Sequence, residues 1–256
     1  MGFQLSERTA QLQARLQAFM EEHIYPREHD WEQWCLDQNN LWQVPPWYDG
    51  LREKAKEQGL WNLFLPHEYE PWSPGLTNVE IAPLFETMSK VIWAQGVFNC
   101  NAPDRGNMEV LARYGTEEQQ EKWLKPLLAG EIRSAYAMTE PQVASSDATN
   151  MELDIRRDGD EYVLNGRKWW TTGAVNPRCK IMLVMGKSNP ENERHQQHST
   201  ILVPRDIPGL TLVRTLRVFD SLHSPGGEAE LLFENVRVPV GNMIKGEGCG
   251  FEIAQG

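Results

Sequence analysis

Apolar positions along this chain change their period near Gly130. Before that point they recur every three or four residues. Leu12, Leu16, Phe19 and His23 or Ile24 form one such stripe, with Glu and Gln between them, and Pro26 is expected to stop that helix. A second helix is predicted over "TNVEIAPLFETMSKVIWA". Thr77 and Glu80 have the spacing of a capping box, and Ile81, Phe85, Met88 and Ile92 supply the buried stripe. A third is predicted over "YGTEEQQEKWLKPLLAGE", where Gly115 ends the preceding helix, Thr116 caps, Gln119 sits three on, and Glu117 and Glu118 suit the positive helix end. Residues 36–76, rich in Trp, Pro and Asn, read as short helices and loops.

After Gly130 the pattern is that of strands. "MELDI" at 151–155 alternates apolar and charged residues, as a half-buried strand does. Asp158-Gly159 and Asn165-Gly166 both carry the dipeptide signal of a tight hairpin. Further strands are predicted at "KIMLVMG", "STILVP", "LTLV" and "AELLFENVRV", with a long polar loop "KSNPENERHQQHS" expected to be mobile. Phe251, Ile253 and Ala254 then resemble the first turn of another helix, after which a C-terminal part is expected to be missing. The fold class is α+β: an N-terminal helical domain (1–131), an antiparallel β-domain (132–240) and the start of a C-terminal helical bundle (241–256).

Composition narrows the function classes. The chain has 256 residues, 40% of them hydrophobic, enough for one or two cores. A net charge of −11 without a basic stripe argues against a nucleic-acid surface. Cys35, Cys100, Cys179 and Cys249 lie far apart with no CxxC, which argues against a zinc site or a disulfide framework. No apolar run approaches the length of a membrane helix, and the N-terminus has neither a signal-peptide core nor a transit-peptide composition. Gly2 and Ser6 fit the myristoylation pattern, which is short enough to match by chance.

The common catalytic signatures are missing: no P-loop, no GxSxG, and no GxGxxG after a strand. His195 and His198 fall in the polar loop, where a surface turn is the simpler reading than a metal site. Two segments remain. "AMTEPQVASSD" at 137–147 is a hydroxyl-rich break in which Pro141 stops a strand and Ser145 and Ser146 offer hydroxyls and backbone N–H groups to phosphate oxygens. "KWWTTG" at 168–173 places Trp170 and Thr172 on one side of a strand and Trp169 and Thr171 on the other. An apolar wall beside a hydroxyl suits a planar heteroaromatic ligand. A core Trp beside a β-favoured Thr, and a serine turn bonding its own backbone, are the plainer alternatives. Glu140 and Asp147 read as structural acids rather than bases.

Together, "YAMTEPQVASSD", "WWTTG", "FENVRVP" and "GEGCGFEIAQG" resemble the acyl-CoA dehydrogenases, in an order that spans the whole chain. The resemblance implies an FAD-dependent oxidoreductase of fatty acid metabolism that desaturates an acyl-CoA at the α,β bond, with hydride transfer to flavin. By resemblance, Tyr136, Met138 and Thr139 contact the flavin ring, Ser145 and Ser146 lie near the pyrophosphate, Ser146 also near the acyl-CoA, and Trp170, Thr171 and Thr172 wall the flavin. "QVAS" departs from the glycine-rich pair of most members. The resemblance places the catalytic carboxylate in a C-terminal helical domain, so no catalytic residue is assigned here and the chain is expected to be inactive alone. It further implies an electron-transfer flavoprotein as acceptor and a homodimer or homotetramer as the parent assembly. The location would be cytoplasmic in a bacterium, mitochondrial or peroxisomal in a eukaryote. The alternatives are an acyl-CoA oxidase or flavin monooxygenase of the same fold, and a non-catalytic scaffold fragment.

Overall fold

The computed structural model describes residues 5–255, so Gly2 of the myristoylation pattern lies outside the described residues. The chain divides into two compact units between Arg105 and Gly106. In the first, α1 (Glu7–Phe19) starts where the Ser6 hydroxyl accepts from Thr9 N. Its buried side is Thr9, Leu16 and Phe19. A π-helical turn over Met20–Ile24 and a 3₁₀ turn over Tyr25–Arg27 follow, and α2 (Glu28–Leu36) resumes beyond them. Pro26 therefore does not end the helical run: regular α-hydrogen bonding gives way six residues earlier, and the proline sits in the first turn of the 3₁₀ segment, where its missing N–H is tolerated.

After α3 (Tyr48–Glu57), α4 (Asn78–Met88) carries the expected box: Thr77 Oγ1 accepts from Glu80 N, and Glu80 Oε2 accepts from Thr77 N at 2.9 Å. Its stripe differs from expectation at the end. Ile81, Leu84 and Met88 are buried, but Ile92 is 89% exposed, because the helix stops at Met88 and the helical phase is lost four residues before Ile92. The short α5 (Ala94–Val97) follows.

The second unit holds nearly all of α6 (Asp104–Tyr114) and the sheet. Thr116 and Gln119 form the second capping box, opening α7 (Glu117–Gln119), a π-turn (Gln120–Leu124) and α8 (Lys125–Ala129), which ends at Gly130 in the left-handed conformation, φ 72°. Side chains tie these helices to later parts of the same unit: Asn107 Nδ2 donates to Ser134 Oγ at 2.9 Å, and Gln119 Nε2 donates to the carbonyls of Gly241 and Met243, in and just after a 3₁₀ turn (Val240–Asn242).

Seven strands follow: β1 (Arg133–Ala137), β2 (Asp154–Asp158), β3 (Glu161–Thr172), β4 (Cys179–Lys187), β5 (His198–Pro204), β6 (Leu210–Leu216) and β7 (Glu228–Pro239). The order helical-then-β is the one expected, but the sheet is mixed. The β2–β3, β3–β7, β6–β7 and β4–β5 ladders are antiparallel, while β1 runs parallel to β4 over its whole length. β2 meets β4 in parallel as well, at Asp154 and Lys187. β1 and β2 thus lie end to end along one edge of β4, and the chain between them, 138–153, leaves the sheet and returns to it.

Asp158-Gly159 makes the expected hairpin, with Asp158 paired to Glu161 and Gly159 at φ 64°. Asn165-Gly166 does not turn. It lies inside β3, where the ladder to β7 shifts register between Leu164 and Gly166. Glycine is needed there for another reason: a Cβ on Gly166, at φ 147°, would come within 2.9 Å of Leu153 Cα. The expected loop 187–199 is shorter than its polar composition implies, since β4 claims Lys187 and β5 begins at His198. His198 is fully buried, a correction to its reading as a surface histidine: it enters the sheet opposite Lys187. Burial, followed by the charge of Lys187, pushes its imidazole below the usual value. The C-terminal turn forms α9 (Gly250–Gln255); Gly250 passes so close to β5 that a Cβ would meet His198 O at 2.8 Å. Among the described residues no helix is long and apolar enough to cross a membrane, and no group of three His, Cys, Asp or Glu is placed to hold a metal.

Candidate functional site

The two segments singled out in the sequence meet at one place in the second unit. Trp169 N donates to Thr139 O at 3.0 Å, and Lys168 Nζ donates to Met138 O at 2.7 Å. The loop 138–147 is thereby fastened across the end of β3.

β3 does not run regularly here. Lys168 pairs with Leu231 and Thr171 with Ala229, so Trp169 and Trp170 together oppose the single residue Glu230. This β-bulge puts Trp170 at φ 50°, a left-handed backbone for a bulky residue, which costs on the order of 1–3 kcal/mol and recurs at functional sites. Trp170 is 39% exposed and Thr172 is exposed, whereas Trp169 is half-buried and Thr171 fully buried. In exposure alone these four alternate, half-buried, exposed, buried, exposed. The bulge instead separates Trp170 from Lys168, which alternation alone would have placed beside it and which is buried. The two indoles lie 5.9 Å apart, tilted by 52°. Thr172 Oγ1 donates to Glu228 Oε2 at 2.8 Å, and burial raises the Glu228 carboxyl against the opposing effect of that bond.

In the loop the two serines separate. Ser145 is consumed by the loop itself: its hydroxyl accepts from Glu140 N at 3.1 Å and donates to Glu140 O at 3.0 Å. Ser146 is exposed. Tyr136 lies in β1 with its phenol buried, which pushes its pKa up, and Met138 and Thr139 are half-buried. Asp147 accepts from Thr149 N at 3.0 Å and from Arg194 at 2.6 Å; the Thr149 hydroxyl is the first cause of its lowered pKa.

Glu140 is the residue whose environment composition concealed. Its carboxylate is buried at the foot of the loop, where it accepts from Glu152 N at 2.8 Å, Leu153 N at 2.9 Å and Lys168 Nζ at 2.8 Å. A carboxylate so committed is poorly placed to take a proton from a substrate. Burial pushes the Lys168 ammonium down to about 8, against the opposing attraction of Glu140. Lys168 was not a candidate from sequence. Its one signal was a lysine at a strand position between apolar and aromatic neighbours, which a surface lysine also satisfies. Glu228, likewise missed, is reached only through the β3–β7 register.

The arrangement offers an exposed indole, hydroxyls at Thr172 and Ser146, and backbone polar groups, with no nucleophile–base pair among them. Two buried polar atoms at its edge, Trp169 Nε1 and Thr171 Oγ1, have no hydrogen-bond partner among the described residues. Such a set fits a flat, polar-edged ring system with phosphate better than a hydrolytic centre.

Comparison with known proteins points the same way. The N-terminal-domain model of the acyl-CoA dehydrogenases matches residues 6–131, and the middle-domain model matches residues 135–236. Acyl-CoA dehydrogenase family member 10 of Mus musculus is 51% identical over 255 residues, 98% of this chain and 24% of that protein. FadE2 of Mycobacterium tuberculosis, described as a probable acyl-CoA dehydrogenase, is 49% identical over 257 residues, 100% of this chain and 62% of its own length. A solved Mycobacterium abscessus structure, described as an acyl-CoA dehydrogenase by similarity, superposes with a TM-score of 0.94 at 48% identity, covering 99% of this chain and 64% of that one. The chain therefore spans from about a quarter to just under two thirds of these relatives.

Proposed function

This chain belongs to the acyl-CoA dehydrogenases, a family of flavin-dependent oxidoreductases, and from that premise we propose that its β-unit is the flavin-holding part of an enzyme that desaturates an acyl-CoA thioester. The observation that carries the reading is the bulge that displays Trp170 and Thr172, joined by the Trp169 N to Thr139 O hydrogen bond to the loop bearing Ser146. FAD, when bound, would supply the hydride acceptor. Trp170 would provide an apolar wall for the ring, Thr172 a hydroxyl at its edge, Tyr136, Met138 and Thr139 the contacts from β1 and the loop, and Ser146 a donor to phosphate and to the acyl-CoA. Thr171 and Ser145 act differently in this reading. Thr171 is buried beneath the wall, and Ser145 shapes the loop.

No base is assigned among these residues, because Glu140 is already engaged by two backbone N–H groups and an ammonium. The chain alone is accordingly proposed to bind flavin without turning over acyl-CoA. In the whole protein, electrons would pass to an electron-transfer flavoprotein, and the assembly would be a homodimer or homotetramer. The test is titration of the purified chain with FAD, followed by quenching of flavin fluorescence and by the visible flavin absorbance. Saturable binding that Trp170→Ala weakens supports the reading. Wild-type chain that takes up no FAD at any concentration overturns it for this chain.

A further inference from the structure

The buried ion pair at the foot of the loop has no part in the chemistry just described, yet it joins the start of the loop, the chain returning at 152–153 and β3. Glu140 holds the returning chain through Glu152 N and Leu153 N. Lys168 holds the outgoing chain through Met138 O. The two side chains, 3% and 0% exposed, meet at 2.8 Å. Lys168 directly precedes the two residues of the bulge, and the next backbone N–H, of Trp169, is the one bonded to Thr139.

A β-bulge with a tryptophan in left-handed backbone needs surroundings that over-determine it. Here they consist of one side-chain anchor and one backbone hydrogen bond at successive residues, both ending on 138–140. A hydrophobic pair would fill the same space but would leave Glu152 N and Leu153 N without an acceptor and Met138 O without its lysine.

We propose that the Glu140–Lys168 pair is the positioning element of the cradle, setting the bulge that presents Trp170 and Thr172 and the loop that presents Ser146. The proposal rests on the flavin reading for its functional consequence, though not for its geometry. Both side chains are closed off from solvent. Both act through the backbone of their neighbours.

The experiment compares Lys168→Met and Glu140→Gln with Val238→Ala, all in the full chain. Val238 pairs with Tyr162 at the far end of the β3–β7 ladder and serves as a destabilising change remote from the cradle. The first readout needs no flavin: amide hydrogen exchange at Trp169, and the Trp170 indole resonance assigned with Trp170→Phe. The second is FAD affinity by titration, compared at matched fractions of folded protein. In Lys168→Met, Trp169 protection is lost and the indole resonance shifts while protection along β4 and β5 persists. FAD affinity falls by roughly tenfold or more, the scale on which partners that orient direct contacts act. Val238→Ala leaves both cradle readouts at the wild-type value. If Lys168→Met does not fold, Glu140→Gln, nearly isosteric, carries the same expectations. Unchanged Trp169 exchange and unchanged affinity in the folded variants overturn the proposal, as does an equal loss in Val238→Ala. Localised loss of protection in a wild-type background that binds no FAD upholds the positioning role and defeats the flavin reading alone.

Discussion

Two ion pairs flank the loop 138–147, and their geometry on paper is nearly the same. Glu140 meets Lys168 at 2.8 Å, and Asp147 meets Arg194 at 2.6 Å. The first pair is buried on both sides; the second has side chains 47% and 65% exposed. The difference lies in what each charge would do without its partner. Asp147 would return to water, with Thr149 still bonding it. Glu140 would be left charged in a dry interior. Burial rather than distance is therefore what separates the two pairs.

Lys168 is the residue whose loss the buried pair should tolerate least. Lys168→Ala should destabilise the β-unit by roughly 3–5 kcal/mol, because it leaves a buried carboxylate uncompensated. Urea denaturation followed by amide hydrogen exchange along β4 and β5 measures it, and a change below 1 kcal/mol would place the carboxylate within reach of water. A neutral double variant, Glu140→Leu with Lys168→Met, should recover part of that loss but not all, since Glu152 N and Leu153 N still lose their acceptor.

Next in size is Gly186→Ala. A Cβ there would stand 2.7 Å from Leu153 O and 2.6 Å from its Cδ2, so Leu153, whose N–H is one of the donors to Glu140, must move. Overpacking of this kind costs about 1–3 kcal/mol. If the pair depends on its backbone donors, Trp169 exchange should quicken as well. Stability lost with Trp169 unaffected would separate the two.

A smaller effect is expected where a carboxylate bonds backbone at the surface. Glu80 accepts from Thr77 N, and that bond is the first cause of a pKa lowered to about 2. Thr77→Ala should cost about 1 kcal/mol through the lost cap. Because the folded pKa is depressed, the contribution of Glu80 is present above the unfolded carboxylate value and lost as pH falls from about 4.5 toward 2. Glu80→Gln should flatten that acid limb in thermal unfolding of the first unit, and an unaltered limb would count against the box. Least of all is expected from Asp147→Asn: no resolvable shift in the urea midpoint, at low or high salt. A salt-dependent loss would raise the exposed pair to an importance its exposure denies.

What could be read from sequence follows the range of the interaction. Thr77 with Glu80 and Thr116 with Gln119 were legible because a cap closes within three residues. The Asp158-Gly159 hairpin was legible because its turn needs only its own backbone. Met151, Leu153 and Ile155 alternate with exposed Glu152 and Asp154 as predicted, even though the ladder itself begins at Asp154. Asn165-Gly166 carried the same local signal as Asp158-Gly159 and misled, since the need for glycine came from Leu153 rather than from a turn. Ile92 misled because a periodicity does not state where its helix ends.

The sequence by itself determined the caps, the strand alternation, the family motifs and the candidate residues around the loop and β3, because each is encoded by neighbours in the chain. Only the tertiary structure decided that His198 is buried, that β1 and β2 share one edge of β4, and that Trp170 stands on a bulge. It also decided that Glu140 is bound to Lys168, 28 positions away. A lysine and a glutamate look the same in sequence whether solvated or buried. Their meaning is fixed by the dielectric around them and by the donors that converge on them, and both are products of the completed fold.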